Sequence, residues 1–415
     1  MLKLKFKLLA IITALLCAGT AVAQDSGPLI DLLVKKGLVN AQEAEDLRAD
    51  LARDSSAAVI STISGGKSTV GLSIAGRIQV QYAGLGTNID GVAVNPARPT
   101  SHFFLRRIYL GAKANLGNGW TSSFNYDFAG STFDEAKITW RQGDELFVDV
   151  GFRKVPFGLE EWYTSSGSLK AIERSPATRY FVEGNNGRRL GAGSYRTGVF
   201  VGGTKDGLFY TVAATNPERD ESAAGVASAG TKANNNLSYW GNLGYTGKTS
   251  GDFTYTVSGS VGLLPDQGGL VLGAGDNLTV YNAFADFAKG PFDLQLEYFG
   301  SKNDHGISAT KDSSGSAFSI QPAYKAGEFL EYVARYTQVD SDGRGVNLSD
   351  GIRSAPSGGT MNKMSEWYFG FNYYFRGNDV KWQLGYLYGE SKDTITGATA
   401  KAKTEGIRSQ LQVNF

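Results

Sequence analysis

Several residue types are scarce in this sequence. Its 415 residues include one cysteine, two histidines and ten prolines. The cysteine, Cys17, lies among the first twenty residues, so the rest of the chain can form no internal disulfide. That suits an oxidising compartment without requiring one. His102 and His305 alone cannot build a His-based metal cluster, and no metal or other cofactor is expected. The formal charge is +1, which excludes a bulk polyanion binder and with it nucleic acid as a partner. Beyond the first twenty or so residues, no apolar run is long enough to cross a bilayer as a helix. What the chain does have is 54 glycines and 12% aromatic residues. That composition suits many short strands joined by turns.

The start of the chain reads as a cleavable signal peptide over residues 1–23. Lys3, Lys5 and Lys7 precede an apolar run from Leu8 to Cys17, and Ala21-Val22-Ala23 supplies an A-x-A site before Gln24. The run is too short for a membrane anchor. Leu16 stands where a lipoprotein would carry a small residue. Losing the leader removes three lysines and takes the formal charge from +1 to −2.

Residues 24–67 form a second segment with helical patterning. Pro28 opens Leu29-Leu32-Leu33, and Gly37 stops it. Asn40 then makes an N-cap with Glu43 as its capping-box partner. Ala44, Leu47 and Leu51 share one helical face. This predicts a short periplasmic helical element, either a solvated spacer or a coiled-coil-like docking segment, with too few heptads to establish a coiled coil.

From Ser68 to Phe415 the period changes to two. Val70, Leu72, Ile74, Ile78 and Val80 alternate with Ser73, Arg77, Gln79 and Gln81. Phe253 to Leu263, Phe292 to Tyr298 and Trp367 to Phe375 repeat the pattern. Ile407, Ser409, Leu411, Val413 and Phe415 alternate with Arg408, Gln410, Gln412 and Asn414. A soluble sandwich also alternates. Here, however, the polar face stays polar in strand after strand, and short and long connections take turns. The short ones are Gly117-Asn118-Gly119, Gln142-Gly143-Asp144, Lys205-Asp206-Gly207, Lys289-Gly290-Pro291, Lys325-Ala326-Gly327 and Arg376-Gly377-Asn378. The expected fold is all-β, a transmembrane antiparallel β-barrel of about sixteen strands in the cell outer membrane, with both ends in the periplasm. A closed barrel is the sheet that satisfies every backbone group in lipid. Trp120, Trp140, Trp240 and Trp382 are expected in the interfacial girdles.

The stretch from Phe103 to Gly203 carries a family resemblance. It contains Arg106-Arg107, Gly151, Lys154, the run Pro156 to Glu161, Thr164 to Ser166, and Glu173 to Pro176. Together these motifs resemble the phosphate-selective porin O and P family over about a quarter of the chain. The resemblance implies a sixteen-stranded homotrimeric barrel in outer-membrane lipid. Its constricted pore would pass small anions such as phosphate along a ladder of basic side chains. The terminal Phe415 likewise resembles the signal read by the barrel-assembly machinery.

Lys154 to Tyr195, about forty residues after the fifth strand, resembles the third outer loop that folds inward in such porins. Lys154, Glu161, Ser165, Ser166, Lys170 and Arg174 are its candidate constriction residues. By alternation, Arg77, Arg107, Lys113, Lys137, Arg141, Arg153, Arg335 and Arg408 face the lumen. Arg106 falls near the outer end of its strand and completes the basic path. Arginine suits an oxyanion because its fork donates two parallel hydrogen bonds. Asp127, Glu135, Asp149, Glu297 and Glu331 are also assigned inward and offset part of that charge. Phosphate-selective members carry a lysine just before the T-S-S; here Glu161-Trp162-Tyr163 occupies the place, one residue longer. A carboxylate there repels an anion. A general small-solute pore without phosphate preference is therefore the alternative reading.

Other classes fit poorly. A barrel enzyme needs a nucleophile with a base in reach, and neither histidine has a motif around it. Asp340, Asp342 and Gly343 lack the twelfth-position glutamate of a calcium loop. Gly273-Ala274-Gly275 has no strand–helix context for a phosphate cradle. An envelope-tethering barrel remains compatible with a pore.

Overall fold

The computed structural model describes residues 71–90, 100–184, 188–217, 236–249, 251–265, 267, 276–393 and 401–415. The predicted leader, the N-terminal helical segment and Gly273-Ala274-Gly275 lie outside the described residues.

Alternation of polar and apolar side chains lets one sheet serve two solvents, and the chain closes such a sheet on itself. β1 (Gly71–Asp90) pairs antiparallel with both β2 (Thr100–Gly117) and β17 (Lys401–Asn414). β3 (Trp120–Asp127), β4 (Thr132–Gln142), β5 (Leu146–Lys154), β6 (Tyr195–Lys205), β7 (Leu208–Thr215) and β8 (Ser238–Lys248) follow in sequence order. β9 (Phe253–Leu264), β10 (Leu278–Lys289) and β11 (Phe292–Ser308) continue the wall, and β13 (Ser316–Lys325), β14 (Leu330–Asp340), β15 (Lys363–Arg376) and β16 (Val380–Lys392) complete it. β12 (Lys311–Ser313) pairs with the C-terminal end of β11, while β11 also pairs with β13. The wall is therefore a closed antiparallel barrel of sixteen strands. All six short connections read from the sequence are turns between consecutive strands.

The seam closes at the C-terminus. The Gly76 and Phe415 backbones exchange two hydrogen bonds, at 2.6 and 3.0 Å. The Phe415 ring covers Gly76, where a Cβ would stand 2.5 Å from the ring.

The outer surface carries apolar residues such as Val80, Leu105, Val150, Val212, Phe369 and Leu411. Buried polar side chains line the inside. Across β1, β17, β16 and β15 they form an amide ladder: Gln79 donates to Gln412 at 2.6 Å, Gln81 to Gln410 at 2.7 Å, Gln410 to Gln383 at 2.8 Å and Gln383 to Asn372 at 2.8 Å.

The apolar core sits inside the barrel, where residues 155–184 and 188–194 pack on the inner wall. Phe157 meets Trp240 and Phe299 at centroid distances of 5.8 and 5.6 Å, and Phe181 stacks on Phe299 at 5.3 Å. Each such buried ring contributes about 1.5–3 kcal/mol. Trp240 corrects the girdle assignment. It is 3% exposed, its indole donates to Thr215 at 3.2 Å, and its neighbour Tyr239 takes the outward position. The register of β8 thus turns Trp240 towards the loop instead of the lipid.

Candidate functional site: the lumen and its inserted loop

The loop between β5 and β6 buries most of its described backbone inside a wet barrel, so its carbonyls need donors. The polar wall supplies them. Gln79 donates to the Ser166 carbonyl at 3.2 Å, Gln412 to Gly167 at 3.0 Å, Lys381 to Leu169 at 3.0 Å and Gln383 to Lys170 at 3.1 Å. Two short helical turns stiffen the loop. The first is a π-type turn over Leu159–Tyr163. The second, α1 (Pro176–Phe181), has proline in its first turn and the Ser175 hydroxyl accepting from the Thr178 amide at 3.1 Å.

Charge fixes the loop laterally. Arg106 reaches Glu173 through Nε at 2.5 Å and Nη2 at 3.2 Å, and Arg353 reaches the same carboxylate at 3.2 Å. Burial alone would raise the Glu173 carboxyl, but the Arg106 and Arg353 guanidiniums outweigh it and hold it well below the usual range. Arg335 joins Glu160 of the loop at 3.1 Å to Glu366 of β15 at 2.8 Å. Lys170 meets Glu331 at 3.2 Å and Asp293 at 3.4 Å. These carboxylates outweigh the effect of burial and hold its ammonium above the usual lysine range. Arg77 donates to the Ser166 hydroxyl at 2.8 Å and Ser165 lies at 3.5 Å.

The double arginine departs from simple alternation. Gln79 pairs with Arg107 and Val80 with Leu105, so Arg106 is the extra residue of a β-bulge. The bulge turns Arg106 inward to Glu173. Arg107 is 2% exposed and donates to Gln79 at 2.7 Å. A second bulge, at Asp134, aims that carboxylate at the Tyr109 and Tyr195 hydroxyls.

Glu161 is not a bare charge in the passage. Arg174 Nε lies 2.6 Å and Lys154 Nζ 3.5 Å from its carboxylate. The expected repulsion of anions at this position is therefore offset by two adjoining cations.

The predicted cations divide into two groups. Arg106, Lys154, Lys170, Arg174 and Arg335 are engaged in ion pairs with, or within, the loop. Arg408 is 2% exposed and donates to the Arg353 carbonyl. The second group lines open space. A cavity of about 470 Å³ along β2–β5 is lined by Lys113, Lys137, Arg141, Glu135, Asp149 and Asp144, among others. Arg153 closes on Asp149, and Lys137 lies 3.1 Å from Glu135 and 3.6 Å from Asp149. Arg141 is half exposed, with Asp144 at 4.0 Å. Among the described residues, Lys113 has no ion-pair partner.

Sequence reasoning named neither Arg353 nor Glu160 as site residues, though both are central to the loop's anchorage. Glu160 stood in the PFGLEE run beside Glu161, but no local signal points to Arg353.

The sequence matches the model of the family described as phosphate-selective porin O and P over residues 74–415. No curated protein matches it. Among solved structures, the outer-membrane channel DcaP of Acinetobacter baumannii is similar at 12% identity and a TM-score of 0.54, covering 86% of this chain and 100% of that one. An anion-selective porin from Comamonas acidovorans is similar at 12% identity and a TM-score of 0.52, over 83% of this chain and 100% of that one. The trimer form of OmpT, an outer-membrane protein of Vibrio cholerae, gives 12% identity and a TM-score of 0.50 over 83% of this chain and 99% of that one. At these identities the likeness is one of fold, and the family match extends over most of the barrel. The sixteen-stranded wall, the inserted loop and the match over residues 74–415 agree: this chain is an outer-membrane β-barrel porin of the phosphate-selective porin O and P family.

Proposed function

We propose that this porin is a passive pore for small solutes that favours small anions, phosphate among them. The observation that carries the reading is the basic lining of the open side of the barrel. There Lys113, Lys137, Arg141 and Arg153 face the carboxylates Glu135, Asp144 and Asp149. Selectivity in a pore follows its width and the charges at its wall. The loop occupies the other side through neutralised pairs, which leaves the cationic excess on the passage. The neutralised Glu161 removes the main objection to anion passage at the loop.

In this reading residues 1–23 are cleaved, residues 24–67 lie in the periplasm, and Phe415 is the assembly signal. The barrel works as a homotrimer in outer-membrane lipid, supported by the trimer form of the similar Vibrio cholerae protein. Titrating phosphate into a chloride-conducting planar bilayer tests the phosphate component. Progressive block at millimolar phosphate supports it. Chloride current indifferent to phosphate reduces the reading to a general small-solute pore.

A further inference from the structure

The charged passage has an aromatic counterpart that ion selectivity does not use. Phe209 of β7 and Phe284 of β10 hold lumen-facing positions by alternation, and Tyr163 of the inserted loop lies against both. The Tyr163 and Phe209 rings stack at 5.6 Å and 29°, and Phe284 supports the tyrosine at 5.2 Å. Trp162 adds a fourth ring, 6.1 Å from Tyr163. Glycine in the wall makes this possible. Phe209 lies over Gly244 of β8 so closely that no Cβ fits there. Its ring is thereby laid along the wall with Tyr163 stacked on it.

Tyr163 is 40% exposed although its neighbours Glu160 and Glu161 are buried. Its free surface therefore meets the water of the pore. A large aromatic surface held open to water inside a barrel loses hydrophobic free energy unless something covers it.

A second ring stands among the cations. Phe147 of β5 lies over Gly202 of β6, where a Cβ would stand 2.7 Å from the ring. The Arg141 and Arg153 guanidiniums each sit 5.6 Å from its centroid. β5 and β7 are two strand spacings apart, about 10 Å. Ring faces and guanidiniums thus occupy neighbouring stretches of the same wall.

We infer that the lumen binds small anions that carry a flat ring, aromatic carboxylates in particular. The carboxylate pairs with the half-exposed Arg141, and the ring covers the aromatic surface presented by Tyr163 and Phe147. The inference deepens the proposed anion preference and rests on it for the role of the arginines. Its test cancels charge, because the two probes are monovalent carboxylates of equal valence.

The experiment compares potassium benzoate with potassium acetate as blockers of chloride current through single wild-type channels in a planar bilayer. Benzoate is expected to half-block at a concentration about five-fold below that of acetate, the size of one aromatic contact. Tyr163→Phe keeps the ring and should keep the ratio, whereas Tyr163→Ala should bring the two probes together. Equal half-block by benzoate and acetate in the wild type overturns the inference. So does Tyr163→Ala discriminating as well as Tyr163→Phe. If Tyr163→Ala yields no barrel, the wild-type comparison decides alone. A channel that discriminates benzoate but shows no anion preference in potassium chloride would uphold the aromatic site and contradict the anion-selective reading, so the two failures are distinguishable.

Discussion

Arg106 and Glu173 form a two-point ion pair, at 2.5 and 3.2 Å, between a bulge in β2 and the inserted loop. Removing one partner of a buried pair leaves the other charge uncompensated, at a cost of about 3–5 kcal/mol. Glu173→Gln leaves Arg106 without its counter-charge and Arg353 with Glu183 alone, at 3.0 Å. The loop should loosen while the barrel persists. Single-channel records should show a noisier open state than wild type, with the heat-resistant band on gels retained. Unaltered noise would mean that this pair does not hold the loop.

The same pair fixes a pH response. The folded-state pKa of Glu173 is depressed, so its contribution is present above its unfolded value, about 4.3. That contribution is lost as pH falls through the lower folded value. Open-state noise should stay flat from neutral pH down to the ordinary carboxylate range and rise only below it. A rise beginning near pH 6 would place the controlling group elsewhere.

Gly76 and Phe415 predict an assembly phenotype. Deleting Phe415 removes two backbone hydrogen bonds at the seam and the ring that covers Gly76. Gly76→Ala drives a methyl into the same ring. Both changes should lower the yield of heat-resistant barrel far more than they alter the conductance of the channels that do form. Normal barrel levels with altered conductance would contradict this.

Charge changes at Arg107 and Glu161, buried beside the passage, should have opposite signs. Arg107→Gln keeps a donor for Gln79 and removes one positive charge. The anion-to-cation permeability ratio should fall by about two-fold, for roughly 0.5 kcal/mol of lost attraction in a wet pore. Glu161→Gln leaves Lys154 and Arg174 less compensated, so the ratio should rise. Movement of both in the same direction would place neither residue on the ion path.

The barrel was legible in the sequence because strand alternation and tight turns are local properties. The terminal strand from Ile407 to Phe415 shows this: its apolar residues face out and Arg408, Gln410 and Gln412 are buried inside. The lumen was less legible, because its chemistry depends on contacts between residues far apart in the chain. Nothing near Glu161 signals Arg174 and Lys154 closing on it. Alternation assigned Arg335 inward correctly, but only the fold shows it joining Glu160 to Glu366. The inward turn of Arg106 was not legible because a bulge adds a residue that period-two counting does not register. Trp240 was misplaced because an aromatic near a strand end looks the same whether it faces lipid or a folded loop.

The central claim is that this pore favours anions, and a reversal potential tests it most directly. The purified wild-type protein is reconstituted in a planar bilayer with a potassium chloride gradient across it. The reversal potential should have the sign set by chloride moving down its gradient, and it should shift towards zero in Arg107→Gln. A wild-type potential at zero, or of the sign set by potassium, would contradict the account.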